Sequence, residues 1–170
     1  MVSNLCRRMH YLRLVEGAFA LGIPSALVCH WLLAGSPVDW TVRLLPLMLV
    51  SYILIQGAFF WHLKYLQYKT RAGLPSYFST VYKFFRRSNT VAFCAITSLL
   101  LLGPGRGTSA TDLVWAGSLS MFAVLEHINY YCYQLMYDTA GAYRRLRHTK
   151  KLRTPVLALD LRRPGTFPCA

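Results

Sequence analysis

The run from Glu126 to Asp138 sets two carboxylates, an imidazole, two amides and four phenols in and at the end of an apolar stretch long enough to cross a membrane. Ionisable groups at that depth are costly, and they mark proton relays, ion pathways or hydrogen bonds that join helices. At 100° per residue, Glu126, Tyr130, Tyr133 and Tyr137 form one stripe, with His127, Tyr131, Gln134 and Asp138 in the stripe beside it. Ile128, Cys132, Leu135 and Met136 take the opposite face, so the polar side is expected to face a bundle interior or a subunit interface. Glu126 and His127 have the chemistry to hold or pass a proton, and Tyr130 and Tyr133 can line a site for it. About a dozen residues separate Glu126 from the helix end, roughly 18 Å at 1.5 Å per residue, which places it near the bilayer centre.

Few residues elsewhere can answer this stripe. Gln56 offers an amide at depth, and His62, near the end of the same apolar run, is expected within reach of Tyr133 or Asp138 rather than Glu126. Arg13 and Glu16 lie one helical turn apart and predict a local ion pair. No metal or cofactor is expected. His30, His62 and His127 fall at three different depths, which argues against bis-histidine haem, and the neighbours Glu126 and His127 point about 100° apart, too far to chelate one ion easily. Five cysteines, widely spaced and without a C-x-x-C, suggest neither a disulfide framework nor a thiol-redox pair.

The elements that must position these groups follow from composition. With 55% hydrophobic and only 15% charged residues in 170, the chain has too few charges to cover a water-exposed globule of its size. Four stretches approach the ~20 residues a spanning helix needs, at about 14–34, 44–63, 88–105 and 113–137. The fold expected is all-α, an antiparallel four-helix transmembrane bundle, with a membrane domain over 1–143 and a basic tail over 144–170. The first stretch is too long for a signal peptide and lacks its small-residue cleavage site.

Charge orients this bundle. Seventeen of the nineteen Lys and Arg precede the first stretch, lie between the second and third, or follow the fourth, leaving Arg43 and Arg106 opposite. Basic residues in short loops resist translocation, so both termini are expected in the cytoplasm of a multi-pass cell-membrane protein. Between spans two and three, Phe78, Val81, Tyr82 and Phe85 recur at i, i+3, i+4 and i+7, predicting a short interfacial helix over 76–87 that starts after Pro75. Thr111 or Asp112 is expected to cap the fourth helix. In the tail, Arg144, Arg145, Arg147, Lys150, Lys151 and Arg153 form a polybasic cluster suited to anionic lipid, and Val156–Leu161 is apolar enough to dock back on the helices. The net charge of +13 follows the membrane-loop pattern without a groove-reading or base-stacking motif, so membrane lipid rather than nucleic acid is the expected partner.

Tyr130-Tyr131, Gln134-Leu135 and Tyr137-Asp138, followed by a basic segment and Asp160-Leu-Arg-Arg163, resemble the close of bacterial four-span membrane proteins with no assigned activity. The resemblance covers the last quarter of the chain and implies a bacterial inner membrane. Small multidrug transporters are similar in having four spans and one embedded glutamate, but theirs lies in the first span. Three functions follow in order. The first is a non-catalytic membrane component, a homo-oligomer or accessory subunit whose span-four stripe is an interface. The second is a small transporter or channel with Glu126 as its proton or cation site. The third is an intramembrane enzyme acting on a lipid-like substrate through Glu126, His127 or His62.

Overall fold

In a computed structural model the chain is all-helical. The residues described are 2–35, 37–102, 108–136, 144, 146–148 and 150–162. Four long helices, α1 (Val2–Leu33), α2 (Trp40–Thr70), α3 (Phe78–Leu102) and α4 (Ala110–Tyr131), are followed by a short α5 (Val156–Arg162). Two of them are long and apolar enough to cross a membrane, α1 over Cys6–Leu33 with mean hydropathy 1.5 and α2 with 1.8. Pro24 and Pro46 sit inside these two helices, where neighbouring helices in an apolar setting can satisfy the backbone they disturb.

Side-chain contacts fix how the helices run. His10 meets Tyr65, Arg13 meets His62 and Arg43 meets Trp31, so α1 and α2 are antiparallel. Gln56 meets Asn89 and Phe60 meets Phe78, which makes α2 and α3 antiparallel as well. Arg43 with Asp112 and Gln56 with Tyr131 set α4 parallel to α2. The chain therefore runs up and down, and α2 is its hub, packing against α1, α3 and α4. It buries Leu47, Val50, Ile53, Leu54, Phe60 and Leu63, with Trp31 from α1, Tyr82 and Ile96 from α3, and Leu119, Ala123 and Tyr130 from α4 around them. Outward, Leu21, Leu33, Met48, Val91, Leu101, Val114 and Met121 are exposed, an apolar exterior of the kind that covers interaction surfaces.

Two element boundaries differ from the sequence expectation. The separate interfacial helix over 76–87 does not exist; its aromatic stripe opens α3, which continues without a break to Leu102. Phe78 and Tyr82 are buried against Phe60 rather than laid in an interface. The fourth helix stops at Tyr131, six residues before the expected 137. Cys132 and Tyr133 both donate backbone N–H groups to the Ile128 carbonyl, and the Asn129 side chain then accepts from the N–H of Leu135 and Met136. An Asx side chain that takes backbone donors offers the chain an alternative to the next helical turn. Gln134 leaves the helix altogether and donates its backbone N–H to the Arg153 carbonyl at 2.8 Å.

Candidate functional site

A polar network lies inside the packed helices. Gln56 and Asn89 pair amide to amide, Gln56 Nε2 donating to Asn89 Oδ1 at 2.9 Å and Asn89 Nδ2 returning to Gln56 Oε1 at 3.1 Å. Tyr131 donates its hydroxyl to Gln56 Oε1 at 2.9 Å, and Tyr82 donates to the Gln56 backbone carbonyl at 3.1 Å. Asn89 Nδ2 also lies 3.2 Å from His127 Nδ1. An amide nitrogen only donates, so His127 accepts there and carries its proton on Nε2. The ring is held between Phe93 and Tyr131, with centroids 5.5 and 4.8 Å away. α2, α3 and α4 are thus joined through a cluster in which nearly every donor meets an acceptor, the arrangement that makes buried polar groups tolerable.

Glu126 does not join this network. It lies half-buried on α4 beside Asn129, and it is close enough to Glu16 of α1 for the two charges to act on one another. Between them stands Tyr130. Its ring lies so close to the backbone of Gly57 that a Cβ there would overlap the hydroxyl end of the ring and force Tyr130 to shift. The buried Tyr130 hydroxyl approaches the Glu16 carboxylate without reaching hydrogen-bond geometry and has no hydrogen-bond partner among the described residues.

The expected Arg13–Glu16 ion pair is replaced. Arg13 donates from Nη1 to His62 Nδ1 at 2.8 Å and from Nη2 to His10 Nδ1 at 3.0 Å, and its guanidinium lies 5.2 Å over the Tyr65 ring. Arg13 turns to His62 of α2 and His10 of its own helix, and Glu16 lies toward Tyr130 of α4. His62 is thereby committed to Arg13, away from the span-four stripe. Tyr133 is exposed beyond the helix end, and Gln134 is tied to the tail. Tyr137, Asp138 and Arg145 lie outside the described residues.

At the opposite end of the bundle a second polar cluster closes the helices. Arg43 Nε lies 2.6 Å from Asp112 Oδ1, both side chains being almost fully buried. Ser109, not Thr111, caps α4, its hydroxyl accepting from the Asp112 N–H while the Asp112 carboxylate accepts from the Ser109 N–H. This reciprocal arrangement is a capping box. Asp112 stands just before the apolar stretch begins at Leu113. Burial works against its charge, yet hydrogen bonds from Ser109, Arg43 and the Asp39 N–H outweigh that and hold its pKa below the usual carboxylate value. Asp39 caps α2 through the Val42 N–H and accepts from Thr108, and Trp31 stacks under Arg43 with Trp40 and Trp115 beside it.

The tail docks at the basic end. α5 buries Leu157 and Ala158, and Asp160 Oδ2 lies 3.0 Å from the Nζ of Lys64. Lys64 is almost fully buried and also donates to Gln67 at 2.9 Å. Composition assigned Lys64 only to a cytoplasmic loop; its buried ion pair was not legible, because nothing local links residues 64 and 160. Of the tail's basic cluster, Arg144, Arg147, Lys150, Lys151 and Arg153 are exposed, and the Arg153 backbone carries the bridge to Gln134. Asn89 and Tyr82 are the functional residues that sequence reasoning missed. Asn89 had a visible signal, an amide at the head of an otherwise apolar run.

Among the cavities of the described surface, one is lined by Lys83, Arg86, Arg87 and Thr90, and another is an apolar groove between α2 and α3 lined by residues such as Met48, Tyr52, Ala92 and Leu99. Neither is lined by Glu126 or Tyr130. Among the described residues no three His, Cys, Asp or Glu side chains gather as metal ligands. Comparison of the chain with protein-family models, curated proteins and solved structures finds no match in any of the three.

Proposed function

We propose that this chain is a four-span cell-membrane protein with both termini cytoplasmic, acting as a non-catalytic component of a membrane assembly, either as a homo-oligomer or as an accessory subunit. Beside the two long apolar helices, α3 carries no charge from Ser88 to Leu102, and α4 carries only Glu126 between Leu113 and Tyr131. These two run antiparallel to one another, and the stretches from Ser88 to Leu102 and from Leu113 to Tyr131 rise roughly 22 and 28 Å at 1.5 Å per residue. The basic residues of α1, α2 and α3 other than Arg43 gather at the end where the tail docks, in keeping with a cytoplasmic face.

One observation carries the functional part. The polar groups of the interior, Gln56, Asn89, His127, Tyr82 and Tyr131, are spent on one another rather than turned toward a cavity. Such a cluster fixes which helices pack together and in what register, a structural role. The exposed apolar face then serves lipid and partner helices. Native mass spectrometry of the protein released from gentle detergent, wild type beside Glu126→Gln, tests this. A defined oligomer or partner complex, unchanged in the variant and holding no small molecule, is expected. A bound small molecule that disappears with Glu126→Gln would contradict it.

A second reading, a small transporter or channel, is favoured by the acidic pair. Glu16 and Glu126 approach one another beside a buried phenol that has no hydrogen-bond partner among the described residues. Two carboxylates so placed in apolar surroundings require a proton or a cation between them. An intramembrane enzyme finds less support, since His62 is engaged by Arg13 and is not brought to Glu126.

A further inference from the structure

Among the described residues, a cluster of cations on α3 has no acidic partner. The chain has six acidic residues. Asp112 is bonded to Arg43, Asp39 is hydrogen-bonded at the same end of the bundle, Asp160 is paired with Lys64, and Glu16 and Glu126 stand beside Tyr130. Asp138 lies outside the described residues. On α3, Lys83, Arg86 and Arg87 line a common pocket of about 280 Å³ with Thr90, and among the described residues none of the three meets a carboxylate.

Helix geometry explains why these cations share a pocket. At 100° per residue, positions 83, 86, 87 and 90 fall within an arc of about 100°, on a flank of α3 beside the face of Phe78, Tyr82 and Asn89, which pack inward. All four are exposed. Three like charges within about 6 Å of helix rise repel one another, a juxtaposition tolerated only where water or an anion answers it. They also sit just before the charge-free stretch of α3, within about two turns of Asn89 on the side of the basic end, from where long cationic side chains extend toward a headgroup layer. Phe84 and Val91 are exposed beside the pocket, 63% and 69%. An anion flanked by exposed apolar side chains, at the edge of an apolar helix, is the description of an amphiphile.

We propose that Lys83, Arg86 and Arg87 form a binding site for an anionic phospholipid, the cations gripping its phosphate and the outward face of α3 beyond Val91 accepting an acyl chain. The site rests on the four-span reading. It is distinct from the polybasic tail, and it gives the assembly a lipid-specific contact on the span that carries Asn89. Because Arg86 is close enough to His127 and Tyr131 to act on them electrostatically, an anion bound there is felt by the buried network.

The test uses the full chain in gentle detergent and reads retained lipid by native mass spectrometry during titration with phosphatidylglycerol or phosphatidylcholine. Wild type is expected to hold phosphatidylglycerol in preference to phosphatidylcholine. Each removed cation is expected to weaken that binding about fivefold, the order found for a basic residue at a membrane surface. The triple variant Lys83→Gln, Arg86→Gln, Arg87→Gln therefore loses the preference by about a hundredfold, whereas Arg144→Gln with Arg147→Gln and Lys150→Gln leaves it within severalfold. If the triple variant does not fold, Arg87→Gln, which points furthest from the packed face, still shows the fivefold loss. Equal lipid binding in wild type and in the folded variants would overturn the site. Displacement of the lipid by millimolar inorganic phosphate would overturn its assignment to a lipid and leave a free-phosphate site. Failure of the chain to sediment with carbonate-washed membranes is a separate result, and it would remove the four-span reading itself.

Discussion

Asn89 is the side chain on which the interior turns, because it meets both Gln56 and His127 from a third helix. Replacing it with leucine keeps the volume apolar but strands the Gln56 amide and the His127 acceptor. Asn89→Leu is expected to destabilise the protein by about 1–2 kcal/mol, in line with unpaired buried polar groups and with hydrogen bonds between membrane helices. Thermal melting in detergent checks this, and a loss no larger than that of the surface change Thr97→Leu would show that the network does not hold the helices. Residue types in the sequence pointed to Glu126 first and to Gln56 as an amide at depth. They did not show that the two belong to different sites, since their separation depends on α4 rotating Glu126 toward α1 while Tyr131 faces α2. The Arg13–Glu16 pairing failed for the same kind of reason. Spacing along one helix reports which side chains share a face, but not which acceptor a neighbouring helix brings closer.

At the scale of elements, the four charge-free stretches fall largely within four long helices, two of them long and apolar enough to cross a membrane, and the expectation erred at their ends. The aromatic stripe from Phe78 to Phe85 reads equally as an interfacial helix or as the first turns of a longer one. The burial of Phe78 and Tyr82 against Phe60 decides for the second. The close of α4 was hidden because Asn129 looks like one more polar residue on a stripe until its carbonyl oxygen takes the N–H groups of Leu135 and Met136. The docking of α5 has an energetic signature. Lys64 is buried with Asp160 as its acidic partner, and removing one member of such a pair leaves an uncompensated charge at a cost of about 3 kcal/mol. Asp160→Ala is accordingly expected to release the tail, seen as faster proteolysis between Leu152 and Arg162 at unchanged helix content. Proteolysis at the wild-type rate would mean that Leu157 and Ala158 suffice to hold α5.

Across the whole molecule, polar groups gather at the two ends and in one central layer, with apolar side chains between. The end built from Arg43, Asp112, Ser109 and Asp39 ties the α1–α2 turn to the start of α4, and it gives stability a sign with pH. The folded pKa of Asp112 lies below its ordinary value of 3.8. Its contribution is therefore complete above that value and is lost as pH falls through the lower, folded one. Acid melting of wild type is expected to steepen below pH about 4, and Asp112→Asn to remove that part of the dependence while lowering stability at pH 7. A parallel pH profile in the variant would assign the acid sensitivity to other carboxylates.

The four-span arrangement, on which both the assembly role and the lipid site depend, is tested most directly by side-specific labelling of single cysteines in a cysteine-free background, in intact cells with a membrane-impermeant thiol reagent. Four spans with cytoplasmic ends require that cysteines at Pro37 and Thr108, in the links after α1 and before α4, react from outside. Cysteines at Ala72, between α2 and α3, and at Lys150, in the tail, should react only after the cells are opened. Labelling of Pro37 and Ala72 from the same side would mean that α2 does not cross the membrane, and the bundle would have to be read as something other than a four-span protein.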